Sequence, residues 1–271
     1  MAYGDSSALF RLCARVAEDG NLIDRLEIAR PEVRASYLLF QLNEGRDVMP
    51  AIRKVLEKGG EADVPLLLMA CDRLLDQARV DEAMEVWNSL SQARWIPLGR
   101  LDPEAGQVLT GGRFETAPIS RGFDWRLPSP DGVGASVEDR TGGLRLTFAG
   151  SQPEDCEVLA QLIPVRENAG YELGFAYRTS GIAANTGLGW RLSDARSGAI
   201  LMESGSLSSE DDSQASVKFR TPAACRLARL ALRYRRTPGT TRIAGFVVLR
   251  EVAVRPSSQL PSAEEPRSRV R

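Results

Sequence analysis

A single change of hydrophobic period divides this chain and limits what either part can fold into. From Ser7 to about Ser91 apolar residues recur every three or four positions, and beyond residue 100 they alternate. Leu67, Leu68, Cys71, Leu74, Leu75 and Ala78 share one face of a helix, and Val80, Ala83, Met84, Trp87 and Leu90 continue on a second. Asp81 is placed to cap that second helix, with Glu82 and Glu85 near its positive end. An earlier stretch repeats the plan: Tyr37, Leu38, Phe40 and Leu42, a turn at Gly45-Arg46-Asp47, then Val48, Ile52, Val55 and Leu56, with Gly59-Gly60 as the stop. Pro50 suits the first turn of the helix after Asp47 and does not interrupt it.

Trp95-Ile96-Pro97-Leu98-Gly99 and Asp102-Pro103 end the helical period. Leu144, Leu146 and Phe148 then alternate with polar neighbours, as do Tyr171, Leu173, Phe175 and Tyr177. An opening strand is expected from Gln107, and further strands at 158–165, 188–192, 200–206, 215–219, 228–234 and 243–254. Short strands with no helical stretch between them require an antiparallel sandwich. The fold class is therefore α+β in separate domains. Residues 1–100 are α-helical hairpins, 106–256 a β-sandwich, and 257–271, rich in proline, serine and charge, a disordered tail.

Composition then removes chemistries. The 271 residues hold no histidine, which takes away the commonest general base near neutral pH, the usual triad base and the commonest metal ligand. A net charge of −1 gives no field to draw nucleic acid or an anionic membrane. No apolar run approaches the roughly 20 residues that span a bilayer, and the N-terminal residues have no secretory pattern. The chain as written is expected in the cytoplasm, or in the envelope if it is part of a longer exported protein. Cys13, Cys71, Cys156 and Cys225 form no CxxC pair; Cys13 and Cys71 read as helix core, while Cys156 and Cys225 each open a strand and can be joined by a disulfide in an exported protein. There is no phosphate-binding loop or GxSxG elbow, and no spacing pairs two carboxylates for glycoside hydrolysis. No enzyme, cofactor or metal is expected.

Thr110-Gly111-Gly112-Arg113-Phe114-Glu115, Gln161-Leu162-Ile163-Pro164-Val165, Gly170-Tyr171-Glu172-Leu173-Gly174-Phe175 and the closing stretch 246–254 resemble the galactose-binding-like jelly rolls, in particular the carbohydrate-binding modules of bacterial glycoside hydrolases. The resemblance spans about residues 106–254 and implies a jelly-roll sandwich. Many such modules hold calcium between acids of the first and last strands. Glu115 matches the first position, but Arg250 stands at the last, so an Arg250–Glu115 ion pair is expected in place of the metal. Residues 67–90, with Ala70, Ala83 and Trp87, resemble a tetratricopeptide-type repeat, which implies a solenoid-like protein-interaction surface.

The function expected is non-catalytic binding or assembly: a glycan-binding sandwich and a protein-binding helical part, in bacterial envelope or exopolysaccharide biology. The alternative is a structural interaction module whose sandwich binds no sugar, and a hydrolase ranks third. Trp190, Tyr234, Tyr171, Phe175 and Tyr177 alternate in step with core leucines. Trp125, in Phe123-Asp124-Trp125-Arg126, has two readings, a ligand platform or a plug closing the sandwich. Arg178, Arg191, Arg229 and Arg233 are expected to share one outer sheet face, with Arg145, Gln161 and Glu172, around the small residues Gly174, Ala176, Gly189 and Ala231. Such a groove of forked donors suits acidic or hydroxyl-rich ligands.

Overall fold

A computed structural model of the chain describes residues 10–12, 31–44, 47–138 and 142–257. The expectations for Cys13, for the turn at Gly45-Arg46 and for the tail beyond Ser257 lie outside them. The chain divides into two compact units at Leu98/Gly99.

Among the described residues of the first unit, besides the helical stretch 10–12, are the helices α1 (Pro31–Asn43), α2 (Met49–Lys58), α3 (Val64–Asp76) and α4 (Val80–Gln92), with a 3₁₀ turn at Glu61–Asp63. Pro50 and Pro65 sit in first turns, where their missing N–H costs no helical bond. Asp47 accepts from the Met49 N–H at 3.2 Å. Asp81 lies inside the first turn of α4, whose N-cap is Arg79 without a side-chain cap; the acid there is favoured by the positive end of the helix dipole. Trp87, Leu67, Leu74 and Leu90 are fully buried. Two pairs tie the hairpins together on the surface, Arg53–Glu85 at 2.7 Å and Arg79–Asp47 at 3.0 Å.

The second unit is a sandwich of two antiparallel sheets. Its strands are β1 (Val133–Val137), β2 (Leu144–Ala149), β3 (Asp155–Pro164), β4 (Gly170–Ser180), β5 (Leu188–Asp194), β6 (Ile200–Glu203), β7 (Ser213–Arg220), β8 (Leu227–Arg235) and β9 (Ala244–Pro256). One sheet has the order β1-β2-β9-β4-β7 and the other β3-β8-β5-β6. Strand alternation sends Tyr171, Leu173, Phe175 and Tyr177 inward from one sheet and Leu188, Trp190 and Leu192 inward from the other. β9 contributes Val247 and Leu249, then Val252 and Val254. The three-residue step between these pairs is a bulge at Arg250, because Ala176 faces Glu251 and Tyr177 faces Leu249.

Three differences from the sequence reading have physical causes. Residues 107–115 are not a strand, apart from a single Asp102↔Gln107 bridge. They wrap the open side of the sandwich, where the Val252 N–H donates to the Gly112 carbonyl at 2.8 Å and a methyl on Gly112 would lie 2.0 Å from the Val252 oxygen. β1, Val-Gly-Ala-Ser-Val, has too little alternation to be read as a strand. Finally, Cys156 and Cys225 are both free thiols. The Cys225 thiol is pushed up to about 12, first by burial and then by bonding to the Asp194 carboxylate; it lies at the opposite end of the β3–β8 ladder from Cys156, which faces Tyr234 while Pro164 faces Leu227, too far for a bridge.

Candidate functional site

The outer face of the five-stranded sheet carries the groove. Strand register aligns its outward residues in rows across β9, β4 and β7. Arg255, Glu172 and Lys218 make one row, Ala253, Gly174 and Ser216 the next, and Glu251, Ala176 and Gln214 a third. The middle row has no side chain longer than serine. Its flanking rows stand about 13 Å apart, four residues of strand rise. Between them lies a depression of about 360 Å³. A second, of about 500 Å³, adjoins it through Ala176, Gln214 and Glu251 and adds Arg113, Glu115, Asp212 and Arg250.

The walls of the groove are polar. Glu172 accepts from the Ser216 hydroxyl at 2.6 Å, and Glu251 lies 3.7 Å from Arg255. Glu172, Glu251, Glu115 and Asp212 bring acceptors, and Arg255, Arg113 and Arg250 bring donors. Nothing crowds the floor: a methyl built on Gly174 meets no atom within 4 Å.

The four arginines expected together do not share a face. Arg178 lies on β4, on the outside of the five-stranded sheet, whereas Arg191 on β5 and Arg229 and Arg233 on β8 lie on the outside of the other. Alternation sets which side of its own strand a residue takes, but it does not say which sheet the strand joins. The second group is also saturated by carboxylates. Arg191 pairs with Glu203 at 2.6 Å, Arg233 with Asp155 at 2.5 Å, and Arg229 with Glu157. A smaller depression of about 220 Å³ lies beside Gly189, Arg191 and Arg233. Gly174 and Ala176 thus floor one groove, while Gly189 belongs to another.

Trp125 is no platform. It is 1% exposed, packs on Phe114 and Trp190 with ring centroids 5.4 and 6.0 Å away, and donates its indole N–H to the Gly111 carbonyl at 3.2 Å. Phe114 and Phe123 are buried beside it, so the wrap closes the sandwich with three rings. Gln161, expected outside, points inward. Its amide donates to the Thr110 and Phe123 carbonyls at 3.0 and 2.7 Å, because the bulge between Glu157 and Leu159 shifts the β3 register. Asp124 is 2% exposed. Burial raises its carboxyl above the ordinary range, against the backbone N–H groups of Ile119 and Trp125 and the charge of Arg126. It pins the 119–125 turn and is out of reach of any ligand. Arg250, expected on Glu115, reaches Glu138 at 2.9 Å, and Glu138 also takes Arg145 at 2.7 Å.

Sequence reasoning placed Glu172, Gly174 and Ala176 on an outer face but missed Gln214, Ser216, Glu251, Ala253 and Arg255. Those residues join the groove only through the pairing of β4 with β7 and β9, and strand partners are not written in local periodicity. Among the described residues no group of three or more acidic, cysteine or histidine side chains is placed to hold a metal ion. No described helix is long and apolar enough to cross a membrane.

No protein-family model matches the chain, and no curated protein matches it. Among solved structures it is similar to a carbohydrate-binding module described as "CBM4 structure and function", with a TM-score of 0.41 and 15% identity over 54% of this chain and 98% of that one. It is similar also to the N-terminal cellulose-binding domain of β-1,4-glucanase C from Cellulomonas fimi, at 0.39 and 17% over 55% and 96%. A third is the enzymatically active domain of tailspike protein 4 from bacteriophage CBA120, at 0.40 and 15%, where 59% of this chain covers 22% of that one. All three scores fall below 0.5, so ligand and activity have to be argued from the groove.

Proposed function

We propose that the sandwich is a non-catalytic glycan-binding module and that the groove on the five-stranded sheet holds the sugar chain. The observation that carries this is the row Ala253–Gly174–Ser216, a floor without side-chain bulk between two polar rows. A flat, hydroxylated ring can approach such a floor closely while its hydroxyls exchange hydrogen bonds with the walls. Carboxylates accept from sugar hydroxyls, and Arg255 and Gln214 donate to them. An apolar ligand would leave the polar walls without partners, and a polyanion meets Glu172, Glu251, Glu115 and Asp212. The ligand class is therefore an uncharged or sparsely charged polysaccharide, as in exopolysaccharide or cell-envelope material. The helical hairpins supply a solenoid-like surface for a protein partner.

The test is binding of immobilised neutral polysaccharides by the full chain and by Gly174→Leu, which fills the floor from an outward position. Wild type should bind at least one of them, and Gly174→Leu should bind none while unfolding at the same denaturant concentration. Equal binding by both proteins would move the site elsewhere. The alternative is a structural module whose sandwich binds no sugar. It is favoured by the lack of exposed rings: among the described residues the exposed large hydrophobics are Leu12, Leu39 and Ile200, none of them aromatic.

A further inference from the structure

We propose that the groove ends in a subsite that reads a single carboxylate, built on Arg178, so that the bound glycan carries a uronic unit beside neutral ones. This rests on the glycan reading above and adds the chemistry of one position.

Arg178 follows Ala176 by two residues on β4, on the same outer face, about 7 Å beyond the groove floor. The register sets it in a row with Val248 of β9 and Arg145 of β2, and the next row holds Ser180, Phe246 and Thr147. Val248 faces outward yet is fully buried between the two arginines. Both guanidiniums lie over the Phe246 ring, Arg145 at 4.0 Å and Arg178 at 5.8 Å from its centroid.

The two arginines differ in what remains to them. Arg145 already gives its Nε and Nη2 to Glu138, at 3.1 and 2.7 Å. Arg191, Arg229 and Arg233 on the other sheet are likewise paired with Glu203, Glu157 and Asp155. Arg178 has no carboxylate partner among the described residues, and it is partly exposed. A ring beneath a guanidinium holds its plane and leaves its N–H edge free, which is the geometry a carboxylate takes with two parallel hydrogen bonds.

The acids of the groove limit how many such charges the ligand can carry. A chain charged at every unit would bring carboxylates against Glu172 and Glu251 for the one it gives to Arg178. One charged unit over Phe246 with neutral units over Gly174 satisfies both ends.

The test uses the full chain with cellohexaose, mannohexaose and a galacto-oligosaccharide. Each is paired with a form bearing one C6 carboxylate, and a form bearing one 6-O-sulfate is the third arm. Wild type should bind at least one carboxylated form about tenfold more tightly than its neutral parent, with the advantage fading as salt is raised. Arg178→Gln should bring the two affinities together and leave the neutral affinity unchanged, and Arg178→Lys, which keeps the charge without the fork, should fall between. A sulfate preference equal to or above that for carboxylate overturns the carboxylate assignment. Neutral binding with no gain from charge, or a gain that persists in Arg178→Gln, overturns the subsite and leaves the groove standing. Binding of none of these in any form overturns both.

Discussion

Trp125→Ala separates a structural from a ligand-facing role for the wrap. The side chain is 1% exposed, and a tryptophan buries about 150–250 Å², equivalent to roughly 4–6 kcal/mol at about 25 cal/mol per Å². That is an upper bound, because the denatured chain hides part of this area. Truncations of large rings in cores cost about 3–5 kcal/mol, and loss of the indole N–H leaves the Gly111 carbonyl without its 3.2 Å donor. The expected loss is therefore about 3–5 kcal/mol, or about 6–20 °C in Tm for a domain of this size class. Trp125→Phe keeps most of the area and loses the hydrogen bond, so it should cost only about 1–2 kcal/mol. Urea unfolding followed by near-ultraviolet circular dichroism measures both, beside glycan affinity at a temperature where each variant is folded. A loss below about 1 kcal/mol for Trp125→Ala, or lost binding at full stability, would show that the ring is not the plug.

Gly112→Ala should destabilise by about 2 kcal/mol or more, since its methyl would meet the Val252 oxygen at 2.0 Å, and Gly174→Ala should stay within about 0.5 kcal/mol of wild type; equal midpoints for the two would contradict the closeness of the wrap to β9. Asp124 has a folded pKa above its ordinary 3.8, so the stability it contributes is full below that value and is lost as pH rises through the folded pKa. Asp124→Asn should therefore gain on wild type as pH increases from about 3.5 toward neutrality, and a difference in Tm that does not vary with pH would refute this. Asp194 runs the other way. Burial pushes its carboxyl up, but the Ser197 and Arg196 N–H groups, the Cys225 thiol and the Ser197 hydroxyl outweigh it and hold it below 3.8. Its contribution is present above that value and lost as pH falls through the folded pKa, so Asp194→Ala should flatten the acid limb of the stability profile. Arg229→Ala and Arg233→Ala break exposed or half-exposed pairs, each worth about 0.2–1 kcal/mol, and should leave glycan affinity unchanged; a loss of affinity would return the site to the four-stranded sheet.

Local periodicity made the two halves legible because burial imposes 3.6 on one and 2 on the other, and Trp190, Tyr234, Tyr171, Phe175 and Tyr177 went inward as their alternation requires. It was blind wherever a position depends on a neighbour distant in sequence. Gln161 was assigned outside because nothing near it announces the bulge after Glu157; inside, its amide finds the Thr110 and Phe123 carbonyls. Arg178 and Arg191 have the same relation to their own strands, yet they stand on opposite sides of the sandwich because β4 pairs with β9 and β7 while β5 pairs with β8 and β6. The same pairing made the groove. Gly174 signals an opening only when Ala253 and Ser216 stand on either side of it, and those residues lie in strands 42 to 79 positions away by the register Gly174↔Ser216 and Gly174↔Ala253. A large residue in either place would close the trough without disturbing any local pattern. Ser216→Tyr and Ala253→Tyr should therefore each abolish glycan binding at nearly unchanged stability, the former beside Glu172 and the latter beside Arg255. Were both to bind like wild type, the row across β9, β4 and β7 would not be the floor of the site, whatever its shape.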